Sequence, residues 1–167
     1  MVNSRKQYID RFSKAAVDST KGTNLFPSVV MAQAILESSD SKGNAGNSQL
    51  AKFYNNHFGI KADIGWKGKK VMMPTREVIG GKSKMVNAWF RHYDNPEQSF
   101  NDRAQFLSKN PRYITAGVFI AKTPEAQAEA LQRAGYATDP DYAKLLIGII
   151  NSNKLKSLDT VKNESPE

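Results

Sequence analysis

The chain has 167 residues, of which 40% are apolar and 10% aromatic, a composition that is typical of a globular protein and excludes a mainly disordered one. It contains no cysteine, which excludes disulfides and thiol catalysis, and its two histidines form no ligand pair, so we expect no metal and no cofactor. The formal net charge of +8 favours a polyanionic partner: nucleic acid, an anionic membrane or an anionic cell wall.

The first third of the chain is predicted to form two helices. Residues 4–19 place apolar side chains on one side of a helix, and the run from Lys21 to Asn24 ends it. The second helix, at residues 27–38, begins with Pro27, whose missing N–H fits the first turn, and is apolar on most of its surface. We therefore expect the second helix to be largely buried.

A single carboxylate, Glu37, lies at the end of this second helix, and a polar loop follows at residues 39–47. Partial burial disfavours the charged form of a carboxyl group and raises its pKa, which is what a general acid working near neutral pH requires. The alternative is a glutamate that simply reaches into solvent, and on position alone this is the commoner arrangement. The neighbouring motifs favour the catalytic interpretation.

The middle of the chain, from residue 58 to 93, has little helical periodicity and predicts a small antiparallel β lobe of two or three strands. Residues 85–92 alternate between two faces, as in a half-buried strand. Gly80 and Gly81 can form the hairpin turn that links this strand to residues 75–79. Just before the lobe, Ser48 is expected to cap a short helix.

The last third of the chain is predicted to be helical again. Three helix starts combine a capping residue, a proline and an acid: Asn95-Pro96-Glu97, Thr123-Pro124-Glu125 and Asp139-Pro140-Asp141. Past Leu158 the sequence is polar. We therefore predict an α+β fold, mainly helical, with one domain at residues 1–158 and a polar tail at residues 159–167.

Seven short stretches of the chain occur in a highly specific order. They are PSVVMAQAILES (27–38), LAKFYNNHFGIKA (50–62), WKG (66–68), TRE (75–77), AWFRHY (88–93), EQSFND (97–102) and GYATDPDYA (135–143). In this order they closely resemble the peptidoglycan N-acetylglucosaminidases of glycoside hydrolase family 73, which include autolysins, flagellar hydrolases and many phage lysins. One departure is the loop at residues 38–48, which is longer than in many relatives and lacks their tryptophan.

The resemblance implies a lysozyme-like fold in which the β lobe, a hairpin at about residues 66–93, forms one side of the active-site cleft. The implied activity is that of an endo-β-N-acetylglucosaminidase, which hydrolyses the β-1,4 bond between N-acetylglucosamine and N-acetylmuramic acid in peptidoglycan. Glu37 matches the family's catalytic acid, Glu77 the acidic residue of its β lobe, and Tyr136 its active-site tyrosine. The predicted substrate-binding residues are Asn56, Phe58, Gly59, Trp66 and Tyr93.

Two carboxylates suit this chemistry, since glycoside hydrolysis needs an acid for the leaving oxygen and stabilisation of a positively charged sugar. Glu37 would supply the proton, and Glu77, on the other lobe, would act as base or electrostatic stabiliser. Their separation decides the stereochemistry, at about 5 Å for retention and roughly 6.5–9.5 Å for inversion, and the sequence leaves it open. In a third route the 2-acetamido group of the substrate attacks the anomeric carbon, and Glu77 has a supporting role.

Each candidate site residue also has a structural explanation. Glu77 would by default be a solvated strand residue, and Tyr136 a buried tyrosine with a satisfied hydroxyl. We expect Trp89 in the core and Trp66 at the surface, while Tyr93 suits either a structural or a sugar-binding role. Structural, hydrogen-bonded or exposed positions are expected for Asp102, Asp139, His57 and His92.

Other functions compete with the hydrolase. A lytic transglycosylase would use the same fold with one glutamate, and Glu77 together with the stretch at 135–143 favours the hydrolase. A non-catalytic wall-binding module would have no need of a partly buried carboxylate at Glu37. Nucleic-acid binding is suggested by charge alone and lacks a coherent basic face with aromatic readers.

The predicted partner is therefore the glycan strand of bacterial peptidoglycan, bound by a monomer that neither binds nucleic acid nor inserts into a membrane. The N-terminal sequence lacks the apolar core of a secretory signal. The protein is expected to act on the cell wall, in the periplasm or outside the cell. It would reach the wall through phage lysis, a specialised secretion system or export within a longer protein. An endolysin or a secreted effector, with an immunity or secretion partner still to be identified, is the favoured setting.

Overall fold

The computed structural model describes residues 5–164, and of Glu164 only the backbone. The elements of this part of the chain are α1 (Arg5–Asp18), α2 (Pro27–Ser38), α3 (Gln49–Tyr54), β1 (Lys70–Ile79), β2 (Lys82–Arg91), α4 (Pro96–Lys109), α5 (Pro111–Thr115), α6 (Pro124–Arg133), α7 (Tyr142–Ser152) and α8 (Lys156–Glu164). A two-stranded antiparallel sheet thus stands between two helical blocks, as the predicted α+β fold requires. Within residues 5–164 no helix is both long and apolar enough to cross a membrane.

Local capping explains where several helices begin. The side chains of Ser48, Asn95 and Thr123 each accept a hydrogen bond from the backbone N–H three residues later, at 3.0–3.1 Å. In the last two cases a proline occupies the first helical turn. These bonds satisfy N–H groups that have no partner inside the helix, and the three predicted starts are confirmed.

The fourth predicted helix start lies two residues too early. The Asp139 carboxylate accepts the backbone N–H of Asp141 at 2.8 Å, which forms a tight turn through Pro140. α7 begins only at Tyr142, after this turn. Asp139 is therefore a structural turn residue, as expected, but it does not cap the helix directly.

α2 lies at the centre of the core. Ten of its twelve residues are buried, and it packs against α1, α6, α7 and α8. Leu36 and Glu37 are the two residues of this helix that remain partly exposed. The core therefore ends at the last turn of α2, where the predicted acid lies.

The hairpin of β1 and β2 forms through the predicted turn. Gly80 and Gly81 have φ values of 60° and 78°, which a type I′ turn requires and which side-chain-bearing residues rarely adopt. Along β1 up to Glu77, exposed residues alternate with half-buried ones. An isolated bridge between Lys61 and Phe90 extends the pairing beyond the hairpin.

Trp89 lies on the outer face of the hairpin instead of in the core. It is 43% exposed, and the ammonium of Lys70 lies 4.5 Å from its ring centre. Its neighbour Phe90 is the residue that turns inward, at 5% exposed. The predicted alternation holds from Met85 to Phe90 and ends at Arg91, which is buried although it lies on the face of Trp89. The prediction that Trp89 is a core residue is wrong, because the alternation does not reveal which face is buried.

The predicted polar tail begins inside a helix. α8 runs from Lys156 to Glu164 and crosses the predicted boundary at Leu158, which stays a prediction. Residues 1–4 and 165–167 of the predicted domain and tail lie outside the described residues. The Asp159 carboxylate accepts hydrogen bonds from the N–H and the hydroxyl of Ser28 at 2.8 and 2.7 Å. The polar residues of α8 therefore hold the start of α2, which composition alone does not reveal.

Candidate active site

Glu37 is half-buried at the end of α2, and its carboxylate Oε2 accepts a hydrogen bond from the hydroxyl of Tyr142 at 3.0 Å. Burial raises the pKa of the Glu37 carboxyl to about 7, although the hydrogen bond from Tyr142 acts in the opposite direction. Among the residues described, no salt bridge holds Glu37 in its charged form. A carboxyl group in this state can deliver a proton near neutral pH.

A chain of buried polar side chains extends from Glu37 into the core. The Gln33 amide nitrogen donates to the Tyr142 hydroxyl at 2.8 Å, and the Gln33 amide oxygen accepts from Nε and Nη2 of Arg103 at 2.8 and 2.5 Å. Gln33 and Arg103 have no exposed surface, and Tyr142 has 2%. The fourth residue of the series, Glu37, is the one that reaches the surface.

Sequence reasoning missed Tyr142, Gln33 and Arg103. One signal was available: Gln33 lies four residues before Glu37, on the same side of an otherwise apolar helix. Arg103 likewise stands within the apolar stripe of α4, which carries buried Phe100 and Leu107. A polar residue in such a stripe has to be hydrogen-bonded inside the protein, although the sequence does not show with which partner.

Tyr136 lies beside Glu37, as the resemblance implies. Its ring stacks on that of Tyr142 with centres 5.9 Å apart and planes 16° from parallel, and Tyr113 lies on another side at 6.1 Å. Burial, and then the nearby charge of Glu37, raise the pKa of the Tyr136 hydroxyl. This hydroxyl is buried and makes no hydrogen bond within residues 5–164, so the expected satisfied hydroxyl is not found. A buried donor without a partner is unusual, and the catalytic role of Tyr136 stays a prediction.

Glu77 lies on the half-buried face of β1, opposite Lys84 of β2. Its carboxylate forms an ion pair with Lys61, a residue of the segment that leads into the hairpin. No hydrogen bond or ion pair joins Glu77 to Glu37 in the described part of the chain. Glu77 is therefore held within the β lobe, and its catalytic role stays a prediction.

Three predicted sugar-contact residues lie in the segment at residues 56–60, and two of them, Asn56 and Phe58, have structural roles. Asn56 is 1% exposed, and its amide bonds the backbone of Ile60 and of Arg91 at 2.9–3.2 Å. Phe58 is 3% exposed and packs edge-on against Phe100. Neither side chain offers an accessible group in this structure, and the predicted sugar contacts of Asn56 and Phe58 stay predictions.

Gly59 differs from its two neighbours, since it is partly exposed and has a φ of 66°. A Cβ atom added there would meet no atom within 4 Å. A substrate could approach the backbone at this point. The predicted contact through Gly59 is consistent with this geometry and remains a prediction.

Tyr93 is 4% exposed, and its hydroxyl donates to the carboxylate of Asp102 at 2.5 Å. The same carboxylate accepts from Nη1 of Arg91 at 2.8 Å. Tyr93 therefore has the structural role that was one of its two expected roles, and its sugar contact stays a prediction. The expected structural role of Asp102 is confirmed, because it ties β2 to α4.

Trp66 packs beside Tyr93 and Arg91 and is partly exposed, so the prediction that it lies at the surface is confirmed in part. Its indole N–H donates to the carbonyl of Lys69 at 2.9 Å, and the Arg91 guanidinium lies 4.5 Å from its ring centre. Tyr93 packs edge-on against it at 5.8 Å. Trp66 is thus fixed in orientation, and its sugar contact stays a prediction.

The atypical loop after Glu37 is held by its own polar residues. The Asp40 carboxylate accepts hydrogen bonds from the backbone and side chain of Asn44 and from the side chain of Asn47, which lower its pKa. At Gly46 an added Cβ would lie 2.9 Å from the ring of Tyr8, so the loop packs closely on α1. The loop therefore has a defined shape without the tryptophan of the relatives.

Neither histidine is hydrogen-bonded to Glu37, Tyr136 or Tyr142 in the described part of the chain. His57 is 4% exposed and shares a hydrogen bond with the Tyr8 hydroxyl at 2.7 Å through Nδ1, and burial lowers its pKa to about 4. His92 packs edge-on against Tyr54 at 5.2 Å. The prediction that His57 is hydrogen-bonded is confirmed.

Residues 13–155 match the family described as glucosaminidase, mannosyl-glycoprotein endo-β-N-acetylglucosaminidase. The chain belongs to the glucosaminidase family. It is 37% identical over 163 residues to exo-glucosaminidase LytG of Bacillus subtilis and 36% identical over 160 residues to peptidoglycan hydrolase FlgJ of Salmonella typhimurium. Both alignments cover 96% of this chain but 55% and 50% of the relatives, so the chain spans about half the length of these curated relatives.

Solved structures of glucosaminidase domains have the same fold. The catalytic domain of the autolysin Auto from Listeria monocytogenes is 35% identical with a TM-score of 0.77, and the match covers 95% of this chain and 91% of that one. The glycoside hydrolase domain of Salmonella typhimurium FlgJ is 33% identical with a TM-score of 0.67, covering 96% and 95%. The predicted glucosaminidase family and the lysozyme-like α+β fold are confirmed.

Proposed function

We propose that this glucosaminidase domain hydrolyses the β-1,4 bond between N-acetylglucosamine and N-acetylmuramic acid in peptidoglycan, with Glu37 as the general acid. One observation carries the proposal: Glu37 is a half-buried carboxyl with a pKa raised to about 7 by burial, at the end of a core helix and beside Tyr136 and Tyr142. Such a group is partly protonated at neutral pH, as a general acid has to be. The relatives named peptidoglycan hydrolase and exo-glucosaminidase support the substrate class and the bond.

Glu37 would give its proton to the glycosidic oxygen as the C–O bond breaks. The leaving strand then departs as an alcohol, and positive charge develops on the N-acetylglucosamine ring. Water adds at the anomeric carbon and loses a proton to a base. Glu77 is the proposed base or stabiliser, with attack by the substrate's own 2-acetamido group as the alternative, and its ion pair with Lys61 has to open before it can accept a proton.

The bond and the acid are tested together by digesting purified peptidoglycan with wild type and with Glu37→Gln, followed by mass spectrometry of the fragments. We expect reducing N-acetylglucosamine ends with the wild type and their loss with the variant. Reducing N-acetylmuramic acid ends would reject the bond, and anhydro ends, lighter by the mass of water, would instead indicate a lytic transglycosylase. Undiminished cleavage by Glu37→Gln would reject the acid.

The same digestion separates the roles proposed for Glu77. If Glu77 is the base or nucleophile, Glu77→Gln should lose activity by about 10²-fold or more. If the acetamido group is the nucleophile, the loss should be small. Fragment lengths decide a further point, because an endo enzyme releases long pieces early whereas an exo enzyme, as the name of the Bacillus subtilis relative states, releases end units.

The cell wall is the proposed place of action, because peptidoglycan lies there and the named relatives act on it. Export by phage lysis, a secretion system or a longer protein, the monomeric state, and an immunity or secretion partner stay predictions. Elution of the purified domain as a monomer on size exclusion with light scattering would support the monomeric state.

A further inference from the structure

The hydrogen bonds between Arg103 and Glu37 can run in only one direction. A guanidinium group has donors and no acceptor, so the Gln33 amide oxygen has to face Arg103, and the Gln33 amide nitrogen therefore faces Tyr142. The Tyr142 oxygen accepts this N–H at 2.8 Å. Its own hydrogen is then left for the acceptor 3.0 Å away, which is Oε2 of Glu37.

We propose that Arg103, Gln33 and Tyr142 are positioning residues that form a one-way hydrogen-bond relay and keep Oε2 of Glu37 an acceptor, so that the catalytic proton resides on Oε1. The inference rests on the proposed function, since it concerns the proton that Glu37 would donate. If the proton lay on Oε2 instead, it would compete with the Tyr142 hydroxyl hydrogen, and one of the two would be left without an acceptor in a buried site.

The relay also prepares Glu37 for the moment after proton transfer. Arg103 is fully buried and, within residues 5–164, forms no salt bridge, while its Nη1 makes no hydrogen bond. Although burial lowers its pKa, a guanidinium group keeps its charge in proteins. The hydrogen bonds of the relay are donated in one direction, from Arg103 through Gln33 and Tyr142 to Oε2, so the ionised carboxylate that remains after proton donation is stabilised.

Among the described residues, no second charged side chain is hydrogen-bonded to Glu37 or to the relay. The titratable and charged groups that face Glu37 and the relay are Tyr142 of α7, Tyr136 of the loop before it, Tyr113 of α5 and Arg103 of α4. Tyr93 in turn faces Tyr136, and Arg112 faces Tyr113. The tyrosines are neutral at physiological pH, and burial raises the pKa of each of them. Arg103 is therefore the one permanently charged member of the relay that acts on Glu37.

The first test follows the titration of Glu37 itself, by NMR of protein labelled with ¹³C at the glutamate carboxyl groups and assigned with Glu37→Gln. Tyr142→Phe removes the donor to Oε2 and should move the Glu37 midpoint upward by about one pH unit. The matched control is Tyr113→Phe, which removes a hydroxyl from the same ring cluster but none from the relay, and should leave the midpoint in place. Equal midpoints in the two variants would overturn the proposal.

The second test identifies the oxygen that carries the proton. At about pH 6, where Glu37 is protonated and ordinary glutamates are ionised, the infrared difference between wild type and Glu37→Gln isolates the carbonyl stretch of the Glu37 carboxyl. If Oε2 is the carbonyl oxygen, the loss of the Tyr142 hydrogen bond in Tyr142→Phe shifts this stretch to higher frequency. An unmoved band would place the proton on Oε2 and reject the relay.

The third test changes Gln33 from a donor to Tyr142 into an acceptor and keeps a side chain of similar size. Gln33→Glu gives Arg103 a carboxylate partner and offers Tyr142 a new acceptor, so the hydroxyl should turn away from Glu37 and the midpoint of Glu37 should rise. The thermal midpoint should be retained or raised. The matched control is Gln127→Glu. Because Gln127 donates to the carbonyls of Asn24 and Val118, this change sets a carboxylate against two carbonyl oxygens and should lower the thermal midpoint. Loss of folding in Gln33→Glu alone would contradict the proposal.

Failure of the relay and failure of the proposed function give different results. A Glu37 midpoint that ignores Tyr142→Phe rejects the relay, whatever the activity of Glu37→Gln. Full peptidoglycan cleavage by Glu37→Gln rejects the acid, even if every titration behaves as expected. If the relay and the acid role of Glu37 both hold, Tyr142→Phe should lower kcat more than it changes KM. The reason is that the relay acts on the proton transfer and does not touch the sugar.

Discussion

At Glu37 the requirements of stability and of catalysis oppose each other. Burial raises the pKa of its carboxyl from 4.5 to about 7 in the folded protein. Between these values the folded state binds more protons than the unfolded chain, so the free energy of unfolding falls as pH rises through this window and stays lower above it. The protonation that catalysis needs is therefore maintained at the expense of stability at neutral pH.

This conflict predicts that Glu37→Gln stabilises the protein at high pH. At pH 8 we expect the free energy of unfolding to rise by about 2 kcal/mol, less than the full shift implies because Glu37 is partly exposed, with little gain at pH 4. Urea unfolding of wild type and Glu37→Gln at the two pH values measures this change in the free energy of unfolding. Glu129→Gln, at an exposed position of α6, is the matched control, and an equal gain at both pH values would contradict the argument.

The same group predicts the pH dependence of activity. Because catalysis needs protonated Glu37, kcat/KM should fall by about tenfold for each pH unit above about 7. Initial rates on soluble peptidoglycan fragments, measured from pH 5 to 9 at constant ionic strength, give the profile. A flat profile up to pH 9 would show that a different group donates the proton.

At the scale of elements, α2 joins two polar sites through the core. Its end carries Glu37, while its start has no side-chain cap of its own, since Phe26 occupies the capping position. Asp159 of α8 takes that role from a distance by accepting the N–H and hydroxyl of Ser28. α8 is therefore part of the structure that fixes the helix bearing the acid.

Removal of this distant cap should destabilise the protein. Asp159→Ala leaves the Ser28 N–H without its partner and should lower the free energy of unfolding by about 1–2 kcal/mol, as loss of a helix cap does. Asp10→Ala, which removes an exposed ion pair with Lys6, is the control and should have little effect. An unchanged thermal midpoint in Asp159→Ala would mean that the α8 contact carries no stability.

For the whole molecule, the sequence allows prediction of local features better than of pairings between distant residues. The turn at Gly80 and Gly81 and the burial of α2 follow from nearby residues, and the structure confirms them. The bond between Gln33 and Arg103 joins positions seventy residues apart, and no local pattern indicates it. Asn56 was matched to a sugar-contact motif, yet backbone groups that only the folded chain brings together occupy its amide.

Net charge is a property of the whole chain and predicts how this domain meets the wall. With 24 Lys and Arg against 16 Asp and Glu, attraction to anionic peptidoglycan should weaken from about 0.1 M to about 1 M salt, as the Debye length falls from about 10 Å to about 3 Å. Sedimentation of the Glu37→Gln variant with purified sacculi measures binding without digestion, and we expect its affinity to fall by about tenfold. Neutral oligomers of N-acetylglucosamine are the control and should bind equally at both salt concentrations.

Salt-independent binding to sacculi would assign recognition to the sugars alone, whereas steeply salt-dependent binding to duplex DNA of any sequence would revive the nucleic-acid alternative.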